Sequence, residues 1–270
     1  MRTMRGMALL AAALLLAAVV AGAQEKIHLA VDGIPATAAP EVLKAKALYE
    51  GRDGTDKACR EMLGILEPYL QAHADDYNAL MLASAAAFWI GDRDPGDKEK
   101  SPVKKEFGEK GYKWAEKMIA LKPEGVAGHY FYTINLGNYG EGISILKALG
   151  IGLDKLYRQH GDKAVALDPN FEGGGGDRAL GRFYYKLPWP KYNAEKSIAH
   201  LRASMALAPR KVRTYSYLAD TLIKEKKWDE AAKVIQDGLA QEPYPFDKGE
   251  AAFYKNALNK AMAAVQAAKK

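Results

Sequence analysis

Cysteine is almost missing from the 270-residue sequence: Cys59 stands alone, so no intrachain disulfide can form and no cysteine-based metal site can be assembled. Histidine is sparse and scattered. His28, His73, His129, His160 and His200 never fall three or four residues apart, the spacing at which a helix would offer two ligands to one ion or orient a catalytic pair. Neither a G-x-S-x-G turn nor a phosphate-cradling P-loop is present. Lysine and arginine outnumber the acids enough for a formal charge of +6, yet they are dispersed, and nucleic-acid binding needs them gathered on one surface. Asp92, Asp94 and Asp97 in "GDRDPGDKEK" resemble a calcium loop only superficially. Gly96 stands where an oxygen ligand belongs and Val103 where the closing glutamate belongs. These absences point away from an enzyme, a cofactor, a metal site and a nucleic-acid partner.

Long apolar runs are equally scarce. The one that exists, Met7 to Val20, follows Arg2 and Arg5 and precedes Ala21, Gly22 and Ala23, which is the form of a cleaved export signal. It falls short of the roughly 20 residues that span a bilayer. We therefore expect residues 1–23 to be removed, a mature chain beginning near Gln24, a periplasmic location and no stable membrane span. Arg2 and Arg5 are not adjacent, so the twin-arginine signal is absent. No cysteine follows the small residues, so the chain is not expected to be a lipoprotein. The roughly 250 residues that remain are enough to bury a large core.

What the sequence does have is a repeat. "WAEKMIALKP" ends at Pro123, "HGDKAVALDP" at Pro169, "AHLRASMALAP" at Pro209 and "AAKVIQDGLAQEP" at Pro243. Each is an apolar run at three-and-four spacing, halted by a proline that cannot continue a helix. An earlier copy, "ACREMLGILEPYLQAHADD", has Ala74 in the proline's place, which makes five units. Between Pro209 and Pro243 the period is 34 residues, that of a tetratricopeptide repeat. Ala219 and Ala231 would allow close helix approach, while Tyr215, Leu222 and Ile235 would fill the space between units. The fold class expected is all-α: stacked helical hairpins in a TPR-like right-handed α-solenoid over residues 41–270, preceded by a loose or extended arm at residues 24–40. A polar insert is expected around residues 92–111, and "GEAAFYKNALNKAMAAVQAAKK" should close the stack.

Candidate binding residues come from two segments. In "GHYFYTINLGNYG", Tyr130 and Tyr132 lie near Asn135, an amide on an apolar helix that must find partners in a neighbouring backbone or in a ligand. In "FEGGGGDRALGRFYYKLPW", Gly173, Gly174, Gly175 and Gly176 precede a helix, and Gly181 sits inside it. Glycines at a helix start let an anion reach free N–H groups, but they also permit close packing, and Asp177 competes as an N-cap. Arg178 and Arg182, four residues apart, share a helical face that suits a carboxylate or an acid of the next helix. Trp189, between two prolines, is a stiffly presented aromatic surface of the kind used in recognition.

Together, "HYFYTINLG", "KALG", "ALDPNFEGGGGDRALGRFYYKLPW" and "AEKSIAHLRASMALAP" resemble the T component of TRAP transporters over residues 110–245. That resemblance implies a non-enzymatic periplasmic accessory protein that binds the solute-binding subunit of a tripartite ATP-independent transporter. It also implies a small hydrophobic or organic-acid ligand, with Tyr130, Tyr132, Asn135, Arg178 and the glycines lining or bracing the stack. The alternative is a general periplasmic TPR adaptor in envelope protein assembly, and a homo-oligomer is left open.

Overall fold

Proline has no N–H to donate and forces the residue before it out of the α region. Three repeat ends obey this directly. Lys122, Asp168 and Ala208 adopt φ of −139°, −156° and −142°, and each terminates the helix in front of Pro123, Pro169 or Pro209. The computed structural model describes residues 27–94 and 100–269; the leader expected at residues 1–23 and Asp97 lie outside them. Twelve α-helices succeed one another among the described residues. Helix α1 (Pro40–Glu50) pairs with α2 (Lys57–Ala72), α3 (Tyr77–Arg93) with α4 (Pro102–Leu121), and α5 (Val126–Ile143) with α7 (Leu153–Leu167). Helix α8 (Gly175–Lys186) then pairs with α9 (Ala194–Leu207), and α10 (Val212–Lys224) with α11 (Trp228–Ala240). The short α6 (Ile145–Gly150) is inserted in the third hairpin, and α12 (Lys248–Ala268) packs on α10 and α11 as the closing helix. Extended pairing among the described residues is confined to one parallel bridge, between His28 and Phe171. The fold is an all-α solenoid of stacked TPR-like hairpins.

The last hairpin shows why it folds so. Ala219 and Ala231 are fully buried at the crossing, and Tyr215, Leu222 and Ile235 fill the space around them. Each side chain of this size removed from water contributes about 1.5–3 kcal/mol. Between α4 and α5 the approach is closer still. A Cβ at Gly108 would come within 2.4 Å of the Tyr139 backbone nitrogen, and one at Gly142 within 2.3 Å of that of Lys105. The buried apolar residues form two blocks, one built by α1–α5, α7 and α8 and the other by α9–α12.

Three features go beyond the sequence expectations. Most of the polar insert is helical: Ser101 caps α4 by accepting from the Lys104 N–H at 3.1 Å, Pro102 takes the first turn, and Phe107, Gly108, Gly111, Ala115 and Met118 are its buried face. The many lysines around that face conceal its helical period. Residues 27–39, the described part of the loose or extended arm, are docked against the stack. Val31 and Ile34 are buried, His28 accepts from the Glu172 N–H at 2.7 Å, and the Ala30 N–H donates to Glu172 Oε1 at 2.8 Å. Finally, the two ends of the stack meet. The start of α12 lies against the turn between α1 and α2, where a Cβ at Gly249 would come within 2.6 Å of the Asp53 carbonyl carbon.

Candidate functional site

The glycine run builds the entrance to α8. Gly173 and Gly174 have φ of +59° and +69°, a region that other L-residues enter at a cost. The backbone there touches neighbours directly. A Cβ at Gly174 would lie 2.8 Å from the Ser204 Cα, one at Gly175 2.7 Å from the Tyr130 ring, and one at Gly176 2.7 Å from Val165. Further along, Gly181 meets Leu201 and the Ser197 carbonyl in the same way. Asp177 does not cap the helix. Its carboxylate is turned to His200, whose Nδ1 lies 2.8 Å away, and Gly174 occupies the cap position without a side-chain bond. Arg178 folds back instead, donating to the carbonyls of Gly173 at 2.8 Å and Glu172 at 3.0 Å, so its guanidinium fastens the turn.

From this start α8 presents Arg178, Arg182 and Lys186 at four-residue intervals along one face, and that face lines a cavity of about 290 Å³ at the hub of the stack. Across from it lie residues of α3, α5, α10 and α12. Arg182 donates to Asp220 at 2.6 Å and lies over the rings of Tyr185 and Tyr217. Glu141 receives both Lys104 at 2.6 Å and Lys186 at 3.2 Å. Burial works to raise the Glu141 carboxyl, but these two lysines outweigh it and hold the group below the usual carboxylate range. Burial, then Arg182, pushes the Lys186 ammonium down in spite of Glu141.

A second charged cluster ties the ends of the stack together. Arg213 on α10 reaches Asp92 on α3 at 2.9 Å and also pairs with Glu250 on α12; Lys211 reaches Asp247 at 2.6 Å and Glu250 at 2.9 Å. Arg93 lies between the rings of Trp89 and Phe253 at 4.3 and 4.2 Å, with Glu250 4.0 Å away. Burial opposes ionisation of Glu250, yet Arg213, Lys211 and Arg93 keep its carboxyl well below the ordinary value.

The sequence candidates divide three ways. Tyr130, Arg178 and Arg182 line the hub cavity; burial pushes the Tyr130 hydroxyl up to about 12. Tyr132 and Asn135 serve helix contacts. Tyr132 packs on Tyr112 and His160, its hydroxyl also raised to about 12 by burial. Asn135, fully buried, donates to the Ser84 carbonyl and hydroxyl at 3.1 Å and to the Phe131 carbonyl at 2.9 Å. Trp189 is 89% exposed in the loop between α8 and α9. Sequence reasoning missed Lys104, Glu141, Lys186 and Asp220, which carry no local motif. It also missed the pair formed by His129 and His160. His129 Nε2 lies 2.8 Å from the Pro123 carbonyl, and the two Nδ1 atoms face each other at 2.8 Å. Among the described residues no group of three or more His, Cys, Asp or Glu is placed to hold a metal, and no helix is long and apolar enough to cross a membrane.

Comparison with known proteins overturns the transporter resemblance. A family model described as regulator of microtubule dynamics protein 1-3 matches residues 42–188, which include the "HYFYTINLG" and glycine-rich segments on which that resemblance rested. No curated protein sequence matches the chain. Among solved structures, TTC0263, a thermophilic TPR protein of Thermus thermophilus, superposes with a TM-score of 0.60 at 17% identity, covering 81% of this chain and 97% of that one. This likeness concerns the fold. Yeast Tom70 matches at 11% identity with a TM-score of 0.33, over 89% of this chain and 68% of that one.

Proposed function

The chain belongs to the family described as regulator of microtubule dynamics protein 1-3, and from that premise we propose that it is a non-catalytic TPR-type adaptor that recognises a protein partner through its outer surface. One observation carries this reading. Trp189 is 89% exposed, and on the neighbouring third hairpin Leu146 and Ile151 are 69% and 58% exposed. Lys191 joins the Trp189 loop to α7 by pairing with Asp154 at 2.5 Å, and Leu187 shares an apolar pocket with Leu149 and Leu153. Large apolar side chains left exposed on adjacent hairpins support a binding role, since aromatic anchors are enriched at interfaces. The N-terminal run from Met7 to Val20 supports export, and with it an adaptor role in an envelope compartment.

The test is side-by-side capture and cross-linking with the native chain, Trp189→Ala and Leu146→Glu. Both variants should keep the native melting temperature and lose a partner that the native chain retains. Recovery of the same partners by all three would sink the proposal. The family description favours a second reading, contact with microtubules, which co-sedimentation with stabilised microtubules addresses. A chain that stays in the supernatant at all polymer concentrations removes it.

A further inference from the structure

The hub cavity has a charge balance that its own ion pairs do not close. On the side where the stack ends meet, Arg93, Lys211 and Arg213 face Asp92, Asp247 and Glu250, three charges against three. On the α8 side, four cations face two acids. Asp220 is taken by Arg182, and Glu141 is shared by Lys104 and Lys186. Arg178, almost completely buried, has two neutral carbonyls as its hydrogen-bond partners. The carboxyl of Glu172 behind it is turned to the Ala30 N–H and takes no part in lining the cavity. The residues lining the cavity of about 290 Å³ therefore include five cations, Lys104, Arg178, Arg182, Lys186 and Arg213, against three acids, Asp92, Glu141 and Asp220. Uncompensated buried charge is costly, and a bound counter-charge relieves it.

We propose that this cavity is a binding site for a compact dianion, a dicarboxylate or a phosphate monoester, seated against Arg178, Arg182 and Lys186 with Lys104 completing the cradle. Guanidinium forks match the paired oxygens of either group. The volume lies at the small end of those taken by ligand pockets, so the ligand is a small one. The site is separate from the outer surface that carries Trp189, and its failure would leave the adaptor reading untouched.

The experiment measures melting temperature and calorimetric binding of the full chain with succinate and with inorganic phosphate, ionic strength being held constant with sodium chloride. At least one anion should bind saturably and raise the melting temperature, as any ligand specific to the native state must. Binding of succinate alone identifies a dicarboxylate, binding of phosphate alone a phosphate monoester, and either supports the site. Lys186→Gln should weaken binding about tenfold, the effect of losing one charge-assisted hydrogen bond. Glu141→Gln removes the acid that two lysines share and should tighten binding severalfold, a direction that general damage to the fold would not produce. If Glu141→Gln does not fold, Lys104→Gln takes its place with an expected weakening. A melting shift matched by sodium chloride, or affinities equal in the native chain and the variants, would overturn the proposal.

Discussion

Gly174 shows how little room one residue can have. Its φ of +69° and the Ser204 Cα, 2.8 Å from where a Cβ would sit, penalise any side chain twice. Gly174→Ala should lower unfolding free energy by about 3 kcal/mol, the sum of left-handed strain and a backbone shift, as read from urea denaturation; a loss under about 1 kcal/mol would contradict the packing account. Asn135 is the other such position. Asn135→Ala removes the amide NH2 whose two hydrogens serve the buried Ser84 and Phe131 acceptors and should cost about 2 kcal/mol, with the midpoint shifted and the slope unchanged. Both residues were visible in the sequence, as a glycine run and an amide in an apolar helix. Their neighbours were not visible, because Ser84 lies 51 positions from Asn135 and nothing local predicts which helix faces which. Asp177 is the instructive failure. Its place after the glycines reads as a cap, but His200, 23 residues away, holds its carboxylate.

At the scale of elements, prolines and apolar spacing made the helix ends legible, since both act within a few residues. The helical character of residues 102–111 was hidden because lysines and glutamates outnumber the few residues that α4 buries in its first three turns. The interface of α5 and α7 carries a pH dependence that only the fold reveals. Burial, and secondarily His129, depresses the His160 imidazole from its ordinary 6.5 to about 4. Between those values the unfolded chain binds a proton that the folded chain refuses, so stability rises with pH across the window and falls on acidification. The melting temperature should therefore drop on acidification through that window, and His160→Gln should flatten the drop relative to the native chain. An unchanged slope in the variant would show that His160 is not the source of the drop.

For the whole molecule, the decisive contacts join residues with no sequence relation. Arg213 reaches Asp92 across 121 positions and also pairs with Glu250, and the repeat pattern, which describes neighbours, is silent about them. Arg213→Met leaves the buried Glu250 and the half-buried Asp92 without the guanidinium they share and should destabilise the fold by about 3 kcal/mol or more. Scattering in solution should then give a larger radius of gyration as the stack ends part. A variant as compact and stable as the native chain would mean that apolar packing around Phe253 and Trp89 holds the ends together unaided.

The bridge between His28 and Phe171 bears on how the chain is made. Ordinary repeat stacks form by adding each unit to the one before, so early segments settle while later ones are still being synthesised. Here residues 28–30 bond to residues 170–172, about 140 positions downstream, and no partner for them exists until the fourth unit has emerged. Contacts of such long sequence separation slow folding and spread cooperativity. The first segment must wait for the fourth unit, and the molecule should lose its repeats together rather than one after another.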